Sequence, residues 1–98
     1  MPSVRKTALA EQDLIDIWLY SFHMWSEEQA NFYLDDLGHA IDLLAKQPLI
    51  CRERTDLSPS VRIHHHNKHL IVYTVGAHEI LVVRVLHDSM DIQVHISD

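Results

Sequence analysis

Ninety-eight residues suffice for one domain spanning 1–98 and leave no room for a second; a chain of that length buries roughly two-thirds of its unfolded surface. A composition of 47% hydrophobic and 22% charged residues excludes a disordered chain, and a net charge of −6 argues against strong non-specific nucleic-acid binding, which depends on Lys and Arg displacing counterions. No apolar run approaches the ~18 residues of a membrane span, the amino terminus gains acidic residues where a signal peptide would be apolar, and Cys51 has no second cysteine to pair with, so a cytoplasmic protein is expected.

The first element is "SVRKT" at 3–7, short and β-compatible, with Thr7 placed to cap a following helix. From Ala8 to about His23, Ala10, Leu14, Ile17 and Ser21 recur at three- and four-residue spacing with Trp18 beside them, which predicts an amphipathic helix. "SEEQ" at 26–29 matches a capping box and opens a second helix whose apolar face is Ala30, Tyr33, Leu37, Ile41 and Leu44. Pro48 stops it. So short a connection predicts an antiparallel helical hairpin.

Residues 49–60 show no period and read as a loop. "VRIHHH" (61–66), "HLIVYTV" (69–75) and "EILVVRVLH" (79–87) are rich in β-branched and aromatic residues, and they predict a meander turning at Asn67-Lys68 and Gly76-Ala77. Gly76 suits the first central position of a type II′ turn. The expected fold is α+β, ordered β-α-α-β-β-β, with the helical hairpin on one face of a mainly antiparallel sheet.

In an ideal last strand, Ile80, Val82, Arg84 and Leu86 point one way and Leu81, Val83, Val85 and His87 the other. Both faces are apolar, and one hairpin covers only one of them. Either a partner chain covers the second face, or the 49–60 loop and the tail close it.

With these pieces in place the chain resembles ParE-type toxins of type II toxin–antitoxin systems, within the ParE/RelE superfamily. The resemblance rests on "ALAEQDLIDIWLYSFHMW", "QANFYLDDL", "LLAKQP", Arg62, "HLIVYTV" and above all "ILVVRVLHDSMD". Ser26, Cys51 and Ser60 stand where that family commonly has glycine; Ser26 serves as a helix cap, while Cys51 and Ser60 imply different loop dihedrals. The resemblance implies a toxin that inhibits DNA-bound DNA gyrase by binding, uses no cofactor, and is neutralised by a ParD-like antitoxin in a toxin–antitoxin hetero-oligomer. Its RelE branch implies the alternative of a ribosome-dependent mRNA endonuclease, and an inactive antitoxin-binding homologue is a third reading.

Cutting RNA needs a base, an acid and cations over the developing phosphorane charge. The candidates are Arg62, Arg84 and His87, although an ideal strand points Arg84 and His87 to opposite faces. The structural alternative pairs Arg84 with a helix carboxylate and leaves His87 hydrogen-bonding at the strand end. Arg84, His87, Met90 and Asp91 together read better as a target-binding strand tip, since an exposed methionine among charges suits an interface. Trp18, Trp25, Leu81, Val83 and Val85 are the candidates for antitoxin contact. "HHHNKH" at 64–69 lacks an acidic or cysteine ligand nearby, and no metal site is expected there.

Overall fold

Thr7 joins the sheet to the helices. Its hydroxyl accepts from the Ala10 N–H (3.0 Å) as an N-cap and donates to the Val83 carbonyl (2.7 Å), while its own N–H donates to the Val82 carbonyl (3.1 Å). One residue thus ends a strand, starts a helix and ties both to the far end of the chain.

The computed structural model describes residues 3–97. Chain order is β1 (Ser3–Lys6), α1 (Ala8–Met24), α2 (Glu27–Lys46), β2 (Glu53–Arg54), β3 (Val61–His66), β4 (His69–Val75), β5 (Glu79–His87) and α3 (Ile92–Ile96). The sheet order is β1-β5-β4-β3-β2, antiparallel except for the parallel β1–β5 pair. The expected α+β architecture is therefore present, with two additions: β2, inside the stretch read as a loop, and α3, in the stretch read as a tail. Among the described residues no helix is long and apolar enough to cross a membrane.

The helical hairpin forms where its caps dictate. Ser26 accepts from the Gln29 N–H at 3.0 Å, and α2 ends two residues before Pro48. Ala10 and Ile17 of α1 with Leu37, Ile41 and Leu44 of α2 pack on Ile71, Tyr73, Ile80, Val82 and Val85 of the sheet. Each large aliphatic side chain buried this way contributes about 1.5–3 kcal/mol. The buried Tyr73 hydroxyl is satisfied by the Pro48 carbonyl at 2.9 Å.

On three points the structure departs from an expectation or decides between two. Strict alternation along β5 fails, because Val72 pairs with Arg84 while Tyr73 pairs with Val82, leaving Val83 as the extra residue of a β-bulge. Val85 therefore joins Ile80 and Val82 beneath the helices, and Leu86 packs with Val83 on the opposite face. Second, that opposite face is closed by the chain itself: Leu57 of the loop and Ile92 and Ile96 of α3 cover Val61, Val72 and Leu86. The Gln93 amide fixes α3 there, accepting from the Ser58 N–H (3.0 Å) and donating to the Ser58 carbonyl (2.8 Å). Third, a type II′ turn needs positive φ at Gly76, and no described glycine has it. Gly76 to His78 form a three-residue loop, closed by the Gly76 N–H on the Glu79 carbonyl at 2.8 Å. At the β3–β4 turn Asn67, at φ 53°, takes up the left-handed conformation that asparagine tolerates.

Candidate functional site

A groove of about 850 Å³ opens between the tip of the helical hairpin and the end of the sheet. Its first wall is one face of α1, where Asp13, Ile17 and Tyr20 follow at i, i+4 and i+7 with Asp16 and Ser21 beside them. Trp25, 73% exposed, closes the hairpin end. Lys68 of the β3–β4 turn and Met90 beyond β5 form the other rim. Between them lie Tyr33, His69, Val85 and His87.

The floor is polar and internally bonded. The Tyr33 hydroxyl and His69 Nδ1 are 2.6 Å apart, and the His69 and His87 rings meet edge-on with centroids 5.6 Å apart. These imidazoles adjoin because His69 of β4 pairs directly with His87 of β5. Burial, reinforced by the neighbouring His87, pushes the His69 pKa below the usual imidazole range, and burial pushes the Tyr33 phenol up. His87 Nδ1 also lies 2.7 Å from the Ser89 hydroxyl. A groove with apolar walls and hydrogen-bonding groups at its base suits an amphipathic protein segment, whose stripe fills the groove while its polar flank stays wet.

Arg84 is not part of this surface. Its Nε and Nη2 donate to the Asp13 carboxylate at 2.8 and 2.9 Å, its Nη1 donates to the His95 carbonyl at 3.1 Å, and both charged side chains are about 15% exposed. The bond to Asp13, set against a smaller cost of burial, holds the Arg84 pKa above its ordinary value. Arg62 is engaged separately, donating to the Cys51 carbonyl. Asp91 caps α3, accepting from the Gln93 N–H at 3.0 Å. Of the residues singled out in the sequence, Trp25, Val85, His87 and Met90 meet in the groove, with Val85 buried in its inner wall. Trp18 sits on the hairpin instead, its Nε1 donating to Asn31 at 2.9 Å, while Val83 packs on the sheet face away from the helices, the side to which alternation with Ile80 and Val82 also turns Leu81.

Alternation along β3 disperses the histidine run. His66 contacts Asp36 of α2 at 2.8 Å, His64 lies 3.7 Å from the Cys51 thiol, and His65 faces Asp88 at 3.4 Å. Among the described residues no three His, Cys, Asp or Glu side chains gather closely enough to hold a metal ion. Other groove residues, among them Tyr20, Tyr33 and His69, escaped the sequence reading. Tyr20 was legible, sharing an α1 face with Asp13 and Ile17, whereas the Tyr33–His69 contact joins residues 36 apart in sequence and left no local mark.

Comparison with known proteins gives a consistent result. The family model described as ParE toxin of type II toxin-antitoxin system, parDE, matches residues 4–92. Toxin ParE1 of Caulobacter vibrioides is 33% identical over 96 residues, covering 98% of this chain and 99% of the relative. Toxin ParE1 of Mycobacterium tuberculosis is 39% identical over 84 residues (85% and 86%), and Toxin ParE of Escherichia coli 31% over 93 residues (94% and 90%). A solved chain of the chromosomal ParDE TA system from P. aeruginosa superposes with a TM-score of 0.76, covering 89% of this chain and 96% of that one; at 21% identity it speaks for the fold.

Proposed function

Since the chain belongs to the ParE toxin family of type II toxin–antitoxin systems, we propose that it inhibits DNA gyrase by binding, cleaves no bond itself, and is neutralised by a ParD-like antitoxin. Its action is then in the cytoplasm, where gyrase works. What carries the binding reading is the state of the three side chains a nuclease would need. Arg84 is held by Asp13, Arg62 donates to the Cys51 carbonyl, and His87 is bonded locally to Ser89. Acid, base and cations must converge on one phosphate to cut RNA, and a guanidinium already neutralised by a carboxylate offers that phosphate little charge.

The groove is the docking surface in this reading. An amphipathic helix of the antitoxin lies between Tyr20 and Trp25 on one side and Met90 on the other, covering His87. His87 and Met90 also belong to the strand tip that meets the target, so the seated antitoxin hides them. The test is a gyrase supercoiling and DNA-cleavage assay with purified protein, run beside mapping of messenger-RNA ends in expressing cells. Loss of supercoiling with accumulation of cleaved DNA is expected. Transcripts cut by the purified protein alone, with gyrase untouched, would overturn the reading.

A further inference from the structure

The side of the hairpin turned away from the sheet carries a second surface that the groove does not use. On α1, opposite the buried Ala10, Ile17 and Ser21, Ile15, Leu19 and Phe22 recur at i, i+4 and i+7 and are 53%, 43% and 41% exposed. Trp18 stacks on Phe22 with centroids 5.2 Å apart and planes at 14°, and its hydrogen bond to Asn31 anchors that pair to α2. An exposed ridge of this kind on a charged surface marks an interaction site.

On α2 the exposed carboxylates Glu28, Asp35 and Asp42 recur every seven residues, which aligns them along one side of the helix about 10 Å apart. Together they give the hairpin a strongly one-signed field. Residues 8–46 hold eight Asp or Glu against Lys46 alone, a net −7, while the rest of the chain is close to neutral. That charge selects among possible occupants. A second copy would bring the same acidic row against this one, and an anionic lipid surface would be repelled. A helix with an apolar stripe flanked by lysine or arginine satisfies both ridges at once.

We infer that the outer face of the α1–α2 hairpin docks a cationic amphipathic helix of a protein partner, at a surface separate from the groove. The apolar stripe of that helix packs on Ile15, Leu19 and Phe22, and its basic flank faces Glu28, Asp35 and Asp42.

The test uses three synthetic helical peptides with the purified full chain, read by fluorescence anisotropy at low and high salt and by amide chemical-shift mapping. One peptide carries a leucine stripe with a lysine row at seven-residue spacing, the second replaces the lysines by glutamates, and the third keeps the lysines but shuffles the leucines. The lysine peptide is expected to bind at least about tenfold tighter than either control at low salt, with the advantage shrinking at high salt. Shifts are expected along the exposed faces of α1 and α2. Leu19→Ser and Asp35→Lys, both at exposed positions, weaken binding, Asp35→Lys narrows the gap to the glutamate peptide, and the groove variant Met90→Ala, which changes no charge, leaves affinity unchanged. Equal binding of all three peptides, binding of none, or shifts centred on Trp25, Lys68 and Met90 overturns the proposal.

Discussion

The Asp13 carboxylate on α1 accepts two hydrogen bonds from the Arg84 guanidinium, at 2.8 and 2.9 Å, and a third from the Val85 N–H at 2.9 Å. Beside it, Thr7 takes the Val82 and Val83 carbonyls. β1 ends at Lys6, so beside the bulge this edge of β5 has no further strand partner, and these two residues satisfy its backbone groups. Arg84→Ala leaves the Asp13 charge partly buried and without its cation. Folding stability by urea denaturation is therefore expected to fall by about 3 kcal/mol. Asp13→Ala should cost a similar amount, and the double variant clearly less than the sum. An Arg84→Ala protein of undiminished stability that no longer inhibits gyrase would instead put the guanidinium on the target surface.

Gly38 lies inside α2 and bears no structural demand for glycine. A Cβ built there meets nothing within 4 Å, and its φ is not positive. Gly38→Ala should therefore stabilise by about 1 kcal/mol through helix propensity and lost unfolded-state freedom, raising Tm by roughly 4–8 °C. Gly76→Ala is the control. Its Cβ would make ordinary contact at 3.4 Å with Glu79, and little change in Tm is expected. A destabilised Gly38→Ala protein would mean that the space beside this residue is filled.

Much of this fold was legible because local chemistry announces it. Thr7, Ser26 and Pro48 punctuate the hairpin through caps and a missing donor, and the three long strands are bounded by turn residues. The failures share one cause. "LVVRV" holds no glycine, proline or turn residue, so nothing in it marks Val83 as a bulge; the side chains that hydrogen-bond the bulge, Thr7 and Asp13, lie some seventy residues earlier. β2 and α3, two and five residues long, are too short to show a period. The groove was half legible for the same reason. Trp25, His87 and Met90 stand out as exposed apolar or titratable residues near element ends, but their meeting depends on how far the hairpin tip stands from the sheet.

Trp25 offers the groove its largest exposed aromatic surface and costs the fold little to remove. Trp25→Ala should weaken binding of a ParD-like antitoxin by roughly 10- to 30-fold, about 1.4–2 kcal/mol, by calorimetric titration with Tm unchanged. Tyr20→Arg, which drives a long charged side chain into the apolar wall, should be more damaging. Unchanged affinity in both variants would move the antitoxin to another face and leave the gyrase assay to judge the remainder of the function.

Acidification should loosen the fold through His69 and His64. Burial is the larger cause of depression in both; His87 adds to it at His69 against an opposing pull from Asp88, and His66 and His65 add to it at His64. Both folded pKa values thus lie below the unfolded value of about 6.5. Above that pH both states are neutral and stability is complete. As pH falls from 6.5 the unfolded chain takes up protons that the folded one refuses, and stability declines until pH has passed below the folded pKa values. The limiting slope is about 1.4 kcal/mol per pH unit for each proton of difference. His69→Gln can keep a hydrogen bond to Tyr33 but cannot titrate, so its urea-measured stability should fall less steeply between about pH 7 and pH 5. Equal slopes for the variant and the natural chain would mean that the His69 imidazole is as well solvated in the fold as out of it, and would remove the partly buried imidazole from the description of the groove floor.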